Sequence, residues 1–114
     1  MYINLEEGLS RIRGNKALYA RMLGMFLDNK EAGMLEESLA GGDLAGAGHI
    51  AHAIKWMTGN LSLTLLFETS TALMESLHEG KRDEAIISAY RDALEKTIEK
   101  AAQLKGQLEA ELET

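Results

Sequence analysis

The chain has 114 residues, enough for one domain around one apolar core, and 46% of them are hydrophobic. It contains no cysteine and no proline, which excludes disulfides, thiolate metal sites and thiol nucleophiles together and leaves nothing that must break a helix. A formal charge of −6, with Lys30, Lys55, Lys81 and Arg82 scattered instead of striped, speaks against nucleic acid, whose phosphates select clustered cations.

Ala, Leu, Glu, Lys, Met and Arg dominate, valine is absent and aromatics are few, so the chain is rich in helix formers and poor in strand formers. In chain order, Asn4 with Glu7 three residues on makes a capping box that opens a short helix closed by Gly14. Asn15 caps a helix predicted over about residues 16–39, ~35 Å long, with Leu18, Tyr19, Met22, Leu23, Phe26, Leu35 and Leu39 at helical spacing. Gly41-Gly42 stops it, and Asp43 caps a third helix. Gly59-Asn60 loosens the chain before a fourth, carrying Leu63, Leu66, Phe67, Leu73, Met74 and Leu77 and ended by Gly80.

Asp83 starts the last helix, ~40 Å long, with Ile87, Tyr90, Leu94, Ile98, Ala101, Leu104 and Leu108 on one face. The polar end GQLEAELET is predicted to fray. Short connections force antiparallel neighbours. The fold class is therefore all-α, an antiparallel up-down-up-down four-helix bundle with a short extra N-terminal helix, one domain over 1–114. No apolar run approaches the ~20 residues a membrane span needs. The opening MYINLEEGLSRIRG has acids where a secretory signal has basic residues. A cytoplasmic monomer without membrane contact is expected.

The third helix carries HIAHAIKWMTGN, with two of the three histidines and the only tryptophan. On a helical wheel Ala47, Ile50, Ile54, Met57 and Leu61 share one sector and face the core. His52 lies opposite, among Ala45, Gly48, His49, Lys55, Trp56 and Gly59, so it is predicted to be exposed beside small residues that let a partner approach. A neutral imidazole nitrogen is a nucleophile that can take a phosphoryl group. Lys55, three residues on, shares the face and can hydrogen-bond the transferred oxygens. No phosphate-cradling glycine loop and no acidic cluster for magnesium accompany them, so the chain has no visible means of activating ATP.

AHAIKWMTGNL resembles the phosphorylation motif of histidine-containing phosphotransfer (HPt) domains, roughly A-H-T-L-K-G-S-A-x-N-L/I, with His52 at the phospho-acceptor, Lys55 at the lysine, and Asn60 and Leu61 at the motif's end. GLSRIRGNKALYARMLGMF is similar to the family's upstream segment at Gly8, Leu9, Arg11, Gly14, Asn15, Leu18, Tyr19, Leu23 and Phe26. GGDLAGAGHIAH resembles the family's run into the histidine. The likeness covers about residues 5 to 80. It implies a phosphorelay intermediate, not an autonomous kinase, whose His52 takes a phosphoryl group from a receiver domain's phospho-aspartate and passes it to another receiver. The partners implied are response-regulator receiver domains and a hybrid histidine kinase. The chain would need no cofactor of its own, the Mg2+ belonging to the receiver.

Trp56 departs from the family pattern, which has glycine or another small residue there, and Ser62-Leu63 replaces a frequent Gly-Ala. The indole either crowds His52 or anchors the partner, since exposed aromatics mark contact surfaces. The alternative function is therefore a transfer-inactive, HPt-like bundle that binds receivers through the Trp56 face. A solvated surface histidine is the plain reading of both His52 and His49, and HxxH without cysteine holds zinc only weakly, so no metal site is assigned. Glu75 and His78 lack the second Glu-x-x-His pair of a di-iron bundle, and His78 suits a helix end. Met22, Met25, Met34, Met57 and Met74 are expected to fill the core. Glu36-Glu37, Glu95, Glu99 and Glu109 to Glu113 are expected on solvated faces.

Overall fold

The computed structural model describes residues 1–113, and every regular element among them is helical. The order is α1 (Leu5–Ser10), α2 (Lys16–Leu27), α3 (Glu31–Ala40), α4 (Leu44–Asn60), α5 (Thr64–His78) and α6 (Glu84–Leu112). Four starts are set by the capping residues that the sequence offers. The side chains of Asn4, Asn15, Asp43 and Asp83 accept from the amides of Glu7, Leu18, Gly46, and Ala85 with Ile86, satisfying donors the first turn leaves unpaired. Gly14, Gly42 and Gly80 take φ near +74° after α1, α3 and α5, a conformation that glycine adopts without strain.

The elements form a body 49 × 21 × 19 Å. α4 packs between α3 and α5, and α6 packs against α5 and α2. The core joins Tyr19, Leu23 and Phe26 of α2 to Leu35 and Leu39 of α3, Ile54 of α4, Leu66, Leu73 and Leu77 of α5, and Ile87, Tyr90 and Leu108 of α6. A bidentate Arg91–Glu36 pair at 3.0 and 2.7 Å ties α6 to α3, and Arg82 Nη1 donates to Leu39 O at 2.6 Å.

Several local expectations are corrected. The single helix over 16–39 is broken at Asp28–Lys30: Asn29 Nδ2 donates to Phe26 O, and Asn29 Oδ1 accepts from Ala32 N at 3.3 Å, so one side chain replaces backbone bonds on both sides of the break. The break also leaves Met25 and Met34 exposed instead of in the core. Gly59 and Asn60 finish α4, and the turn falls on Ser62, at φ 56°. Ser62 holds that conformation because α1 clamps it: Asn4 N donates to Ser62 O at 2.9 Å and Ser62 Oγ donates to Glu7 Oε1 at 2.8 Å. The Glu7 carboxylate therefore leaves the reciprocal arm of the capping box unmade. Its pKa is held below the usual range by the Ser62 hydroxyl first and the Arg11 guanidinium second.

On α6 the expected face is buried at Ile87, Tyr90, Ala101 and Leu108 and half-buried at Leu94 and Leu104. Ile98 departs from it, exposed while its neighbour Thr97 is buried, and the helix continues through 106–112, with Lys16 paired to Glu111 at 3.2 Å.

Tyr19 is fully buried on α2 and donates from its hydroxyl to Leu61 O at 2.6 Å. Burial pushes its phenol up to about 12 and raises that of Tyr90 as well. The folded state thus keeps protons that the unfolded chain releases at its ordinary tyrosine value of ~10. Stability is full below pH ~10 and falls between about 10 and 12, at ~1.4 kcal/mol per pH unit for each such tyrosine. Urea denaturation at stepped pH should find a constant midpoint up to pH ~9 and a steep decline above ~10. Tyr19→Phe should start less stable at neutral pH, having lost the bond to Leu61 O, and decline less steeply.

Candidate functional site

α4 is buried on two sides, so its buried arc is wider than the predicted sector and includes Gly48, Ala51 and Thr58 beside Ala47 and Ile54. His52 consequently sits on the shoulder of α4 facing α5. Along this seam Gly48 meets the His78 ring, His52 meets Met74, and Gly59 meets Phe67, partners that run down α5 as they run up α4. The two helices are therefore antiparallel in register. A Cβ at Gly48 would lie 2.7 Å from His78 Cδ2, and one at Gly59 would lie 3.1 Å from Phe67 Cε1. The expectation that both glycines leave open space for a partner is corrected at Gly48, which is buried; at Gly59, half-buried, Phe67 fills the room. Both let α4 approach α5.

His52 itself is exposed. Its Nδ1 is 3.2 Å from Met74 Sδ, and its Nε2 is 3.0 Å from Trp56 Nε1, one turn on. The two rings meet edge to face, with centroids 6.3 Å apart. Trp56 is 61% exposed. Ala45 and His49 are exposed too, and Lys55 is half-buried. The Lys55 ammonium makes no ion pair among the described residues, and Thr58 Oγ1 donates to the Lys55 carbonyl at 3.0 Å.

The two histidines of HxxH part company. His49 turns to His78, ring centroids 6.2 Å apart, while His52 turns to Met74 and Trp56. Among the described residues no three metal-ligating side chains cluster. Beyond Trp56, a surface cavity of about 410 Å³ is lined by Lys55, Trp56, Gly59 and Phe67 on the seam side and by Glu7, Arg11 and Ser62 on the α1 side. Sequence reasoning missed Met74 and Phe67 as members of this face. They lie outside the local helix, and only the packing of α5 brings them in.

The arrangement offers an exposed imidazole fixed in the middle of a helix, a cation on the same side without an ion-pair partner among the described residues, and an exposed indole beside the ring. That combination suits accepting an anionic, electrophilic group from a docked partner. Comparison of the chain with protein-family models, with curated proteins and with solved structures returns no match. Among the described residues no helix is long and apolar enough to cross a membrane.

Proposed function

We propose that the chain is a phosphorelay intermediate of HPt type, in which His52 accepts a phosphoryl group from a receiver-domain phospho-aspartate and hands it to another receiver. The carrying observation is the exposed His52 held through both ring nitrogens, Nδ1 against Met74 and Nε2 toward the exposed Trp56. A ring held in place is positioned for in-line attack on a docked phosphate once Trp56 releases Nε2. In this reading the six helices form an up-down-up-down bundle, α2 and α3 making one broken arm and α1 covering an end. The module works in the cytoplasm as a monomer, and the receiver supplies the magnesium.

Lys55 supports the transferred oxygens. Losing one charge-assisted hydrogen bond costs ~1.5–3 kcal/mol, so Lys55→Ala should slow transfer roughly tenfold to a hundredfold, read by stopped reactions with phosphorylated receiver. Lys55→Arg should recover part of the rate, since a cation is restored on a different fork geometry.

The occupied Nε2 favours a second reading, a module that binds receivers through the Trp56 face without transfer. Intact-mass measurement after mixing with several phosphorylated receiver domains, at neutral to alkaline pH because phosphohistidine is acid-labile, separates the two. Gain of one phosphoryl group supports the relay. Measurable binding with no gain from any receiver would leave the binding module.

A further inference from the structure

The bond between Trp56 and His52 has a direction. An indole N–H can only donate, so His52 Nε2 is the acceptor at 3.0 Å and its ring lone pair is engaged. The ring proton is then on Nδ1, facing the weak acceptor Met74 Sδ at 3.2 Å. The lone pair held by Trp56 is the one that a nucleophilic Nε2 would use. Trp56 is 61% exposed and stands outside the apolar core, so the indole is held to the ring by this bond and by their edge-to-face contact.

We propose that Trp56 is a latch on His52: it sets the Nδ1–H tautomer and occupies the Nε2 lone pair, so that His52 becomes reactive only when the indole swings off. The consequence for transfer rests on the relay reading above; the latch itself is a property of the two side chains. Once free, the lone pair attacks phosphorus of the receiver's aspartyl phosphate. The N–P bond forms as the P–O bond to the aspartyl carboxyl breaks, and the carboxylate leaves with that electron pair. Nδ1 keeps its proton, the ring takes the positive charge, and no proton has to move.

A receiver that docks against the α4–α5 seam displaces the indole as it arrives. A donor that does not touch Trp56 meets a capped nitrogen. The latch therefore regulates who can phosphorylate His52, favouring a docked protein over small phosphoryl donors.

The test uses the full chain with phosphoramidate, a donor too small to push the indole aside by docking, and follows each histidine by fragment mass spectrometry. His49 and His78 are the internal references, and preserved reactivity at both reports an intact seam. Trp56→Phe should raise the rate at His52 relative to His49 roughly threefold to tenfold, the factor a single neutral hydrogen bond predicts. Ring nitrogen-15 shifts of His52 should place the proton on Nδ1 in the parent and should move toward the Nε2–H form, which imidazole favours in water, in Trp56→Phe.

An unchanged rate ratio, or a parent His52 that already carries its proton on Nε2, overturns the latch. If receivers phosphorylate neither protein while the ratio still rises with phosphoramidate, the latch stands and only the relay falls.

Discussion

His52→Gln is expected to end phosphoryl acceptance from every receiver, with the fold intact. A glutamine amide has no basic nitrogen, since its lone pair is delocalised into the carbonyl, so it offers nothing to attack phosphorus. The imidazole is exposed, and its two contacts are the half-buried Met74 Sδ and the exposed Trp56 Nε1, neither of them in the fully buried core. Surface substitutions of this kind stay within about 0.5 kcal/mol, or a melting shift of a few degrees for a domain near 100 residues. His49→Gln is the matched comparison. It disturbs only the ring contact with His78, and transfer should stay within about threefold of the parent. A His52→Gln protein that still gains phosphate would move the acceptor elsewhere.

Gly8→Ala is expected to destabilise the fold by about 2 kcal/mol and lower the melting temperature by about 10 °C. Gly8 is buried on α1, and a Cβ there would sit 2.7 Å from Tyr19 Cε2 and 3.1 Å from Leu61 O. Tyr19 cannot yield cheaply, because it is fully buried and its hydroxyl is bonded to that same carbonyl at 2.6 Å. Overpacking costs about 1–3 kcal/mol and a strained hydrogen bond about 1 more, against about 1 kcal/mol gained from alanine's helix propensity. Gly106→Ala gives the opposite sign. Gly106 is exposed within α6, with nothing within 4 Å of its would-be Cβ, so the propensity gain stands alone and the protein should be stabilised by about 1 kcal/mol. Thermal melts of the two variants should diverge in direction.

The caps and the glycine stops could be read from the sequence because they act over two or three residues. Asn4, Asn15, Asp43 and Asp83 each bond an amide in the next turn, and a local bond needs no knowledge of the rest of the fold. The break at Asn29 was legible in principle, as Asp-Asn is turn chemistry, but the apolar period runs through it from Phe26 to Leu35 and hides it. The turn at Ser62 could not be read locally. A serine accepts φ 56° there because Asn4 and Glu7, more than fifty residues upstream, hold it.

The candidate site divides the same way. The outward placement of His52 and Trp56 follows from helical spacing alone, and their contact from the i, i+4 rule. Which ring nitrogen of His52 meets the indole depends on rotamers, and Met74 depends on the register of α5 against α4, so neither was visible in the chain. Gly48 and Gly59 misled for a related reason. A small residue on a helix face signals close approach, but spacing does not say whether a partner protein or the next helix approaches, and at Gly48 and Gly59 it is α5.

In the proposed relay one particular nitrogen-bearing side chain carries the phosphoryl group. The most direct test is fragment mass spectrometry of the chain after exposure to a phosphorylated receiver, handled at alkaline pH throughout so that an N–P bond survives. A single phosphoryl group is expected on His52, with His49 and His78 unmodified. A phosphoryl group on either of those two, or none on any histidine while the receiver loses its own, would contradict it.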